Sequence, residues 1–391
     1  MFNDYSLNMN IEFIDICYGL KNGLKQKGNF YLVDNTIPTD DKFITFLKSS
    51  LKSFGYQVDN VLGKGNYGVV FAAKSEHYGN VAIKIAANKD GAFYDMENKQ
   101  ECCYYPTHVC QKCSKTVNKL LPFEVANAVL TNDADGVVKN KAFGIISSHT
   151  KLLFYIIVME KIENSMTLLS FTQNCFKKFN NEIRLKFIKN SQLRLNEINK
   201  NLIKNFNIFH NDLKSDNILV KVKDATKFKK CGSGREDLEY YLIDFGNAIL
   251  NVNQKDQAGN SILLFDQFKY KKYFIIYRAP DVGCQLQYAK MPQLISWYLG
   301  IIAFEMCSNG LEHINLSADA NVCYAIQNRN AQNSNSFDQI IRHNPKTRSL
   351  KLCNQNDMAQ YLQTSLIYDP NVRPSSDNLM KLSLINKEYS G

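Results

Sequence analysis

Nowhere does this chain carry an apolar stretch long enough to cross a bilayer: the most apolar segment, Ile295 to Met306, falls far short of the roughly 20 residues a span needs. The first residues also lack the basic-then-apolar pattern of an export signal, so no secretory leader is expected. Dense charge runs are missing as well. A formal net charge of +10 favours acidic partners, but the Lys and Arg residues are scattered and not gathered into a nucleic-acid arm, so no specific nucleic-acid partner is expected. The 11 Cys are odd in number and irregularly spaced, which predicts unpaired thiols and an intracellular, reducing compartment. No basic targeting cluster chooses between cytoplasm and nucleus. A composition rich in Lys, Asn and Ile suits an AT-rich genome, as in a virus or parasite, and for a virus the compartment would be the host cell's.

What is present is 391 residues with 45% hydrophobic content, enough for one large domain or two packed ones and too apolar for a disordered chain. Residues 1–55 read as a helical N-terminal extension: Phe43, Leu47 and Leu51 recur at helical spacing after Thr39, Asp40 and Asp41, and Gly55 supplies a stop. Residues 56–160 are strand-rich, with apolar runs at Val69–Ala72, Val81–Ile85, Phe143–Ile146 and Leu152–Val158. One helix is expected among them, around Phe93–Tyr105. Residues 161–391 are dominated by helical patterns, such as Ile183, Phe187, Leu193 and Ile203, and later Trp297–Cys307. The fold class is therefore α+β, a strand-rich small lobe followed by a helical large lobe. No repeat is visible, and no Gly-, Pro- or Ser-rich linker lies near Lys161, so the connection must be short.

Gly63-Lys64-Gly65-Asn66-Tyr67-Gly68-Val69-Val70 places three glycines between two predicted strands. Glycines there let backbone N–H groups approach phosphate oxygens, although Gly-rich strand turns are common and the motif alone is weak. Val81-Ala82-Ile83-Lys84 follows, where a lysine on an apolar strand is costly to bury unless an anion receives it. Phosphates and a helix carboxylate are the natural receivers. Glu97 and Glu101 lie one turn apart on the expected helix, with Glu101 the favoured partner.

A second constellation, His210-Asn211-Asp212-Leu213-Lys214-Ser215-Asp216-Asn217, is a polar loop entering an apolar strand. Phosphoryl transfer needs a carboxylate to accept the hydroxyl proton, a cation near the phosphate and oxygen ligands for magnesium; Asp212, Lys214 and Asn217 supply these in order. A third, Leu242-Ile243-Asp244-Phe245-Gly246, ends a strand in a carboxylate suited to bridging Mg²⁺ and phosphates.

In this order the motifs resemble the eukaryotic protein kinase family over Tyr56 to Leu384, joined by Tyr277-Arg278-Ala279-Pro280-Asp281 and Asp369-Pro370-Asn371-Val372-Arg373-Pro374. The resemblance implies a bilobal kinase-like fold and an ATP- and Mg²⁺-dependent transferase acting on protein substrates. Leu62, Gly63, Gly65, Gly68, Val70, Ala82, Met159 and Leu219 would surround the nucleotide, with Met159 as gatekeeper and Glu160 and Ile162 meeting adenine through their backbone. Lys214, two residues after the catalytic Asp212, is similar to serine/threonine kinases, and Asp281 with Arg373 to a buried ion pair anchoring the activation segment.

Departures from the pattern are equally legible. Asn211 stands where the family has Arg, and Ser261 is the only Ser or Thr between Gly246 and Ala279, so activity independent of activation-loop phosphorylation is expected. Ile295 replaces an Asp that in the family braces the catalytic loop, and Phe274 replaces a hydroxyl residue. Lys223, Lys227, Lys229 and Lys230 make a basic loop that could dock an acidic substrate, though such a run is more often a solvated hairpin tip. His108, Cys110 and Cys113 have partial zinc spacing without a second Cys pair, Cys102 and Cys103 read as apolar residues, and His210 as a packing residue. Two rivals stand beside the kinase reading: a pseudokinase scaffold, disfavoured by retained Lys84, Asp212, Asn217 and Asp244, and a small-molecule kinase of the aminoglycoside or choline kinase type, disfavoured by Val81–Lys84, Asp244–Gly246 and Ala279-Pro280.

Overall fold

The computed structural model describes residues 10–15, 41–65, 68–86, 92–95, 100–105, 108–109, 120–148, 151–222, 238–250, 252, 254–256, 259, 262–264, 279–284, 286, 288–310, 323–324 and 352–388. The chain is mixed α+β and divides into two compact units, residues 1–133 with 137–162, and residues 134–136 with 163–391. No helix among the described residues is long and apolar enough to cross a membrane.

The first unit is built on an antiparallel sheet. Its strands are β1 (Asn10–Asp15), β2 (Tyr56–Gly65), β3 (Gly68–Ser75), β4 (Gly79–Ala86), β9 (Asn140–Ser148) and β10 (Lys151–Glu160), in the spatial order β1-β9-β10-β4-β3-β2. Alternation sorts its side chains into two faces. Val69, Phe71, Ala73, Val81, Ile83, Ile85, Ile156 and Val158 are buried on one, together with Leu47 and Leu51 of helix α1 (Asp41–Ser53). Those two leucines alone contribute roughly 1.5–3 kcal/mol each by leaving water. Gly55, at φ 81°, turns the chain from α1 into β2 in a conformation that costs other residues a Cβ clash.

The described parts of residues 1–55 include a strand as well as a helix. β1 pairs with β9 from Asn10↔Ser147 to Asp15↔Ala142, and α1 packs into the core of the first unit. The helix expected around Phe93–Tyr105 is also corrected: β5 (Ala92–Asp95) and β6 (Gln100–Tyr105) pair antiparallel there, flanked by β7 (His108–Val109) and β8 (Leu120–Pro122). Phe, Tyr and Cys side chains suit a pleated strand better than a helix, and the carboxylate spacing of Glu97 and Glu101 is outweighed by them. The helix of this region comes later, as α2 (Phe123–Leu130), buried from Phe123 through Val129.

The second unit is largely helical. After β11 (Ser165–Thr167) and α3 (Leu168–Asn174) comes α4 (Asn181–Phe206), started by the Asn180 side chain accepting from the Ile183 N–H at 2.9 Å and ended by Asn207 in the left-handed region. Further on, α5 (Pro280–Gly283) precedes α6 (Met291–Cys307), an apolar helix buried on all sides that packs against α4 and α7 (Asn356–Ser365). Short ladders carry the polar segments: β12 (Ile208–Phe209) with β15 (Ile249–Leu250), and β11 with β13 (Ile218–Val222) and β14 (Leu238–Leu242).

Disulfides join Cys284 to Cys323 and Cys307 to Cys353, so the expectation of unpaired thiols is overturned for these four. Their partners lie 39 and 46 residues apart, separations no local pattern announces. The inference from cysteine spacing to a reducing compartment loses its ground with them.

Candidate functional site

The face of the first unit's sheet opposite the α1 core carries the expected nucleotide residues. Register pairs Val70 with Lys84, Lys84 with Ile157, and Ala82 with both Ala72 and Met159, which places Val70, Ala82, Lys84 and Met159 on one face. Gly68 pairs with Ala86 and Gly65, and a Cβ on it would lie 2.5 Å from the Ile85 carbonyl oxygen, so only glycine lets β3 approach β4 there. Gly63 has open space around its missing Cβ, and Leu62 is exposed. Asn66 and Tyr67 lie outside the described residues.

Among the described residues Lys84 pairs with Glu124. Its Nζ lies 2.5 Å from Oε1 of Glu124, in the first turn of α2, and both side chains are about nine-tenths buried. Glu101 is on β6. The Tyr155 hydroxyl donates to Oε2 of the same Glu124 carboxylate, so two groups from neighbouring strands grip one acid from a helix. The sequence contained a signal for this: Phe123-Glu124-Val125-Ala126-Asn127-Ala128-Val129-Leu130 holds one carboxylate in an apolar helix, a cost that only a charged partner offsets. At the end of β10 the Glu160 N–H donates to Lys139 O at 2.8 Å, leaving any adenine contact of that residue to its carbonyl.

In the second unit, the polar loop after β12 draws its residues into one cluster. His210 is fully buried between β12 and the turn Phe245–Asn247; its Nε2 lies 3.0 Å from Ile243 O and its ring meets Phe245 edge-on at 4.7 Å. Burial pushes its pKa down, only partly opposed by the Ile243 carbonyl. The Asp212 N–H points to Nδ1 at 3.4 Å, which fits a neutral ring protonated at Nε2. His210 is structural.

Asp212 is held through a single oxygen. Oδ2 receives Asn217 Nδ2 at 3.0 Å, Lys214 Nζ at 3.3 Å and Asn247 Nδ2 at 3.4 Å. Among the described residues none donates to Oδ1, which is the oxygen left to accept a proton. Asn217 also donates from Nδ2 to Asp212 O at 2.9 Å, which directs its amide oxygen away from the aspartate. The Ile243 N–H donates to Asn217 O at 3.0 Å, tying the loop to the strand that delivers Asp244. Asp244 adopts φ 63°, a left-handed conformation that Asp tolerates better than bulkier residues, and accepts from the Gly246 N–H.

Compared with protein-family models the chain matches none, and it matches no curated protein.

Magnesium takes hard oxygen ligands and is usually held by one or two carboxylates together with phosphate. The donors here, one carboxylate from Asp244 and one amide oxygen from Asn217, fit that chemistry. Among the described residues no group of three or more His, Cys, Asp or Glu is placed to hold a metal by itself. His108 is on β7, while Cys110 and Cys113 lie outside the described residues, as do Ser261, Phe274 and the basic segment from Lys223 to Lys230. Leu219, in β13 two residues after Asn217, belongs to the second unit, and Val70 and Ala82 to the first.

Two further sets of contacts lie within the second unit. Tyr298, one turn after Ile295, donates from its hydroxyl to Asn211 O at 3.3 Å. Arg373 and Asp281, both fully buried, form an ion pair at 2.9 Å; Arg373 also donates to the Ile367, Tyr368 and Gln293 carbonyls and lies over the Trp297 ring. Those extra bonds satisfy the guanidinium, whereas Asp281 Oδ1 has no hydrogen-bond partner among the described residues.

Proposed function

We propose that the chain is an ATP-dependent serine/threonine protein kinase with a bilobal kinase-like fold, in which Asp212 is the general base. The observation that carries this reading is the Asp212 carboxylate, fixed through Oδ2 by Lys214, Asn217 and Asn247, with no donor to Oδ1 among the described residues. ATP with Mg²⁺, when bound, supplies the transferable phosphoryl group and much of the charge neutralisation. Asp244 and Asn217 would hold the ion, and Lys84, kept in place by Glu124, would receive phosphate oxygens.

Asp212 Oδ1 accepts the proton of a Ser or Thr hydroxyl as that oxygen attacks. Lys214, beside the same carboxylate, offers positive charge where negative charge gathers. Positioning and charge do most of the work, and the base itself contributes roughly 10² to 10⁴-fold. Ala279-Pro280 resembles part of a platform for a peptide, which favours protein over small-molecule substrates, and the net charge of +10 favours acidic ones.

The test is transfer from γ-labelled ATP with Mg²⁺ to casein and to basic proteins, comparing the wild-type chain with Asp212→Asn. The expected result is labelled Ser or Thr with wild type and a rate lower by roughly 10² to 10⁴-fold in a variant that still folds and binds nucleotide. Near-normal turnover in Asp212→Asn refutes the assignment of the base. Transfer to choline or an aminoglycoside but not to protein refutes the substrate class.

A further inference from the structure

Asn247 ends the turn Phe245–Asn247, three residues past Asp244, and it meets the loop of Asp212 twice. Its backbone oxygen accepts from Asn211 Nδ2 at 3.0 Å, and its own Nδ2 donates to Asp212 Oδ2 at 3.4 Å. The bonds run in opposite directions between two segments that are already in register, since β12 and β15 pair Phe209 with Ile249 and Ile208 with Leu250. Asn211 is also fixed from a third side, its carbonyl accepting from Tyr298 while its backbone sits at φ 61°.

We propose that Asn247 is a positioning residue for Asp212: with Asn211 it closes a two-way latch that turns Oδ2 inward and leaves Oδ1 to take the proton. This rests on the kinase reading above. The chemistry demands an amide. An aspartate of the same shape would bring a second carboxylate to the Asp212 oxygen, and a leucine would fill the space without donating. The Asn247 side chain meets Asp212 Oδ2, and its proposed role is exerted through that carboxylate. At 3.4 Å the bond is long, so its effect is orientation more than strength.

The experiment compares Asn247→Leu, Asn247→Asp and Asn247→Gln in the full chain, reading kcat, the KM for ATP and the thermal midpoint, with backbone hydrogen exchange followed over residues 209–213. The latch predicts that kcat falls about 10-fold in Asn247→Leu and about 100-fold in Asn247→Asp, with partial recovery in Asn247→Gln and KM for ATP within about 2-fold. It also predicts faster exchange over the loop in the first two variants. Equal losses in Asn247→Leu and Asn247→Asp that follow a lowered thermal midpoint, or no loss in either, overturn it in favour of packing alone. A wild-type chain that transfers no phosphate sinks the kinase reading, and the latch is then decided by exchange: unchanged protection in Asn247→Asp overturns it, and faster exchange over 209–213 supports it.

Discussion

Lys84 and Asp212 are both charged side chains held in place by neighbours, yet the neighbours come from different distances along the chain and hold them differently. Lys84 meets Glu124 from 40 residues away, and the pair is almost wholly buried. Asp212 meets Lys214 and Asn217 within five residues, is less deeply enclosed, and keeps one oxygen open. The first arrangement fixes a charge by removing it from water. The second orients a charge while leaving it available for chemistry. Loss of a partner should therefore damage folding in the first and turnover in the second.

The largest expected effect on stability tests the first half of that contrast. Glu124→Ala leaves the Lys84 ammonium and the Tyr155 hydroxyl facing an empty place, and breaking one side of a buried pair typically costs about 3–5 kcal/mol. Chemical denaturation should show a loss of that order, whereas Glu101→Gln should leave the Lys84 pair and the unfolding midpoint nearly unchanged. Comparable losses in both variants would mean that Lys84 is shared between the two carboxylates. The pair would then not be the fixed element of the comparison.

A smaller effect probes the second half. Tyr298→Phe removes the donor to Asn211 O from a packed helix, and losing one such hydrogen bond costs about 0.5–1.5 kcal/mol. Because Asn211 directly precedes Asp212, kcat of the folded protein should fall as well, by several-fold, with the KM for ATP unmoved. A lower thermal midpoint with unaltered kcat would reduce Tyr298 to a packing residue and leave Asn247 and Asn217 to orient the base.

The same contrast explains which residues could be read from the sequence. Lys214, Asn217 and Asp212 are brought together by a loop and a single turn at Ser215–Asn217, so their spacing in the chain already describes their spacing in the fold. The strands β3, β4, β9 and β10 were legible because apolar runs of strand length leave little choice once one face must be buried. Glu124 was not legible from spacing, since its partnership depends on which helix packs onto the sheet, and the aromatic-rich segment Phe93–Tyr105 holds paired strands where a helix carrying Glu101 was expected. Asn247 and Tyr298 escaped notice for a related reason. Each acts across a tertiary contact, one from the turn after Asp244 and one from α6. The pairings of Cys284 with Cys323 and of Cys307 with Cys353 are equally non-local.

The smallest expected effect concerns His210, which sits between these extremes: buried like Lys84 and local to Asp212, but uncharged. Burial holds its pKa below the ordinary value, so the native chain keeps the ring neutral where the unfolded chain, with a histidine near 6.5, begins to bind a proton. Its contribution to stability is therefore full above about pH 6.5 and is lost as the pH falls from there towards the depressed native value, because the unfolded state binds more protons. Between pH 7.5 and 5.5 this single group accounts for at most about 1.4 kcal/mol. Thermal unfolding of wild type and His210→Phe at the two pH values isolates it. The variant should be less stable at both, since Ile243 O loses its partner, but should lose less on acidification than wild type. Equal losses would mean that other groups carry the acid sensitivity. In that case His210 would be protonated without penalty, and its ring would stand with the open, chemically available groups of the Asp212 cluster and not with the buried ones.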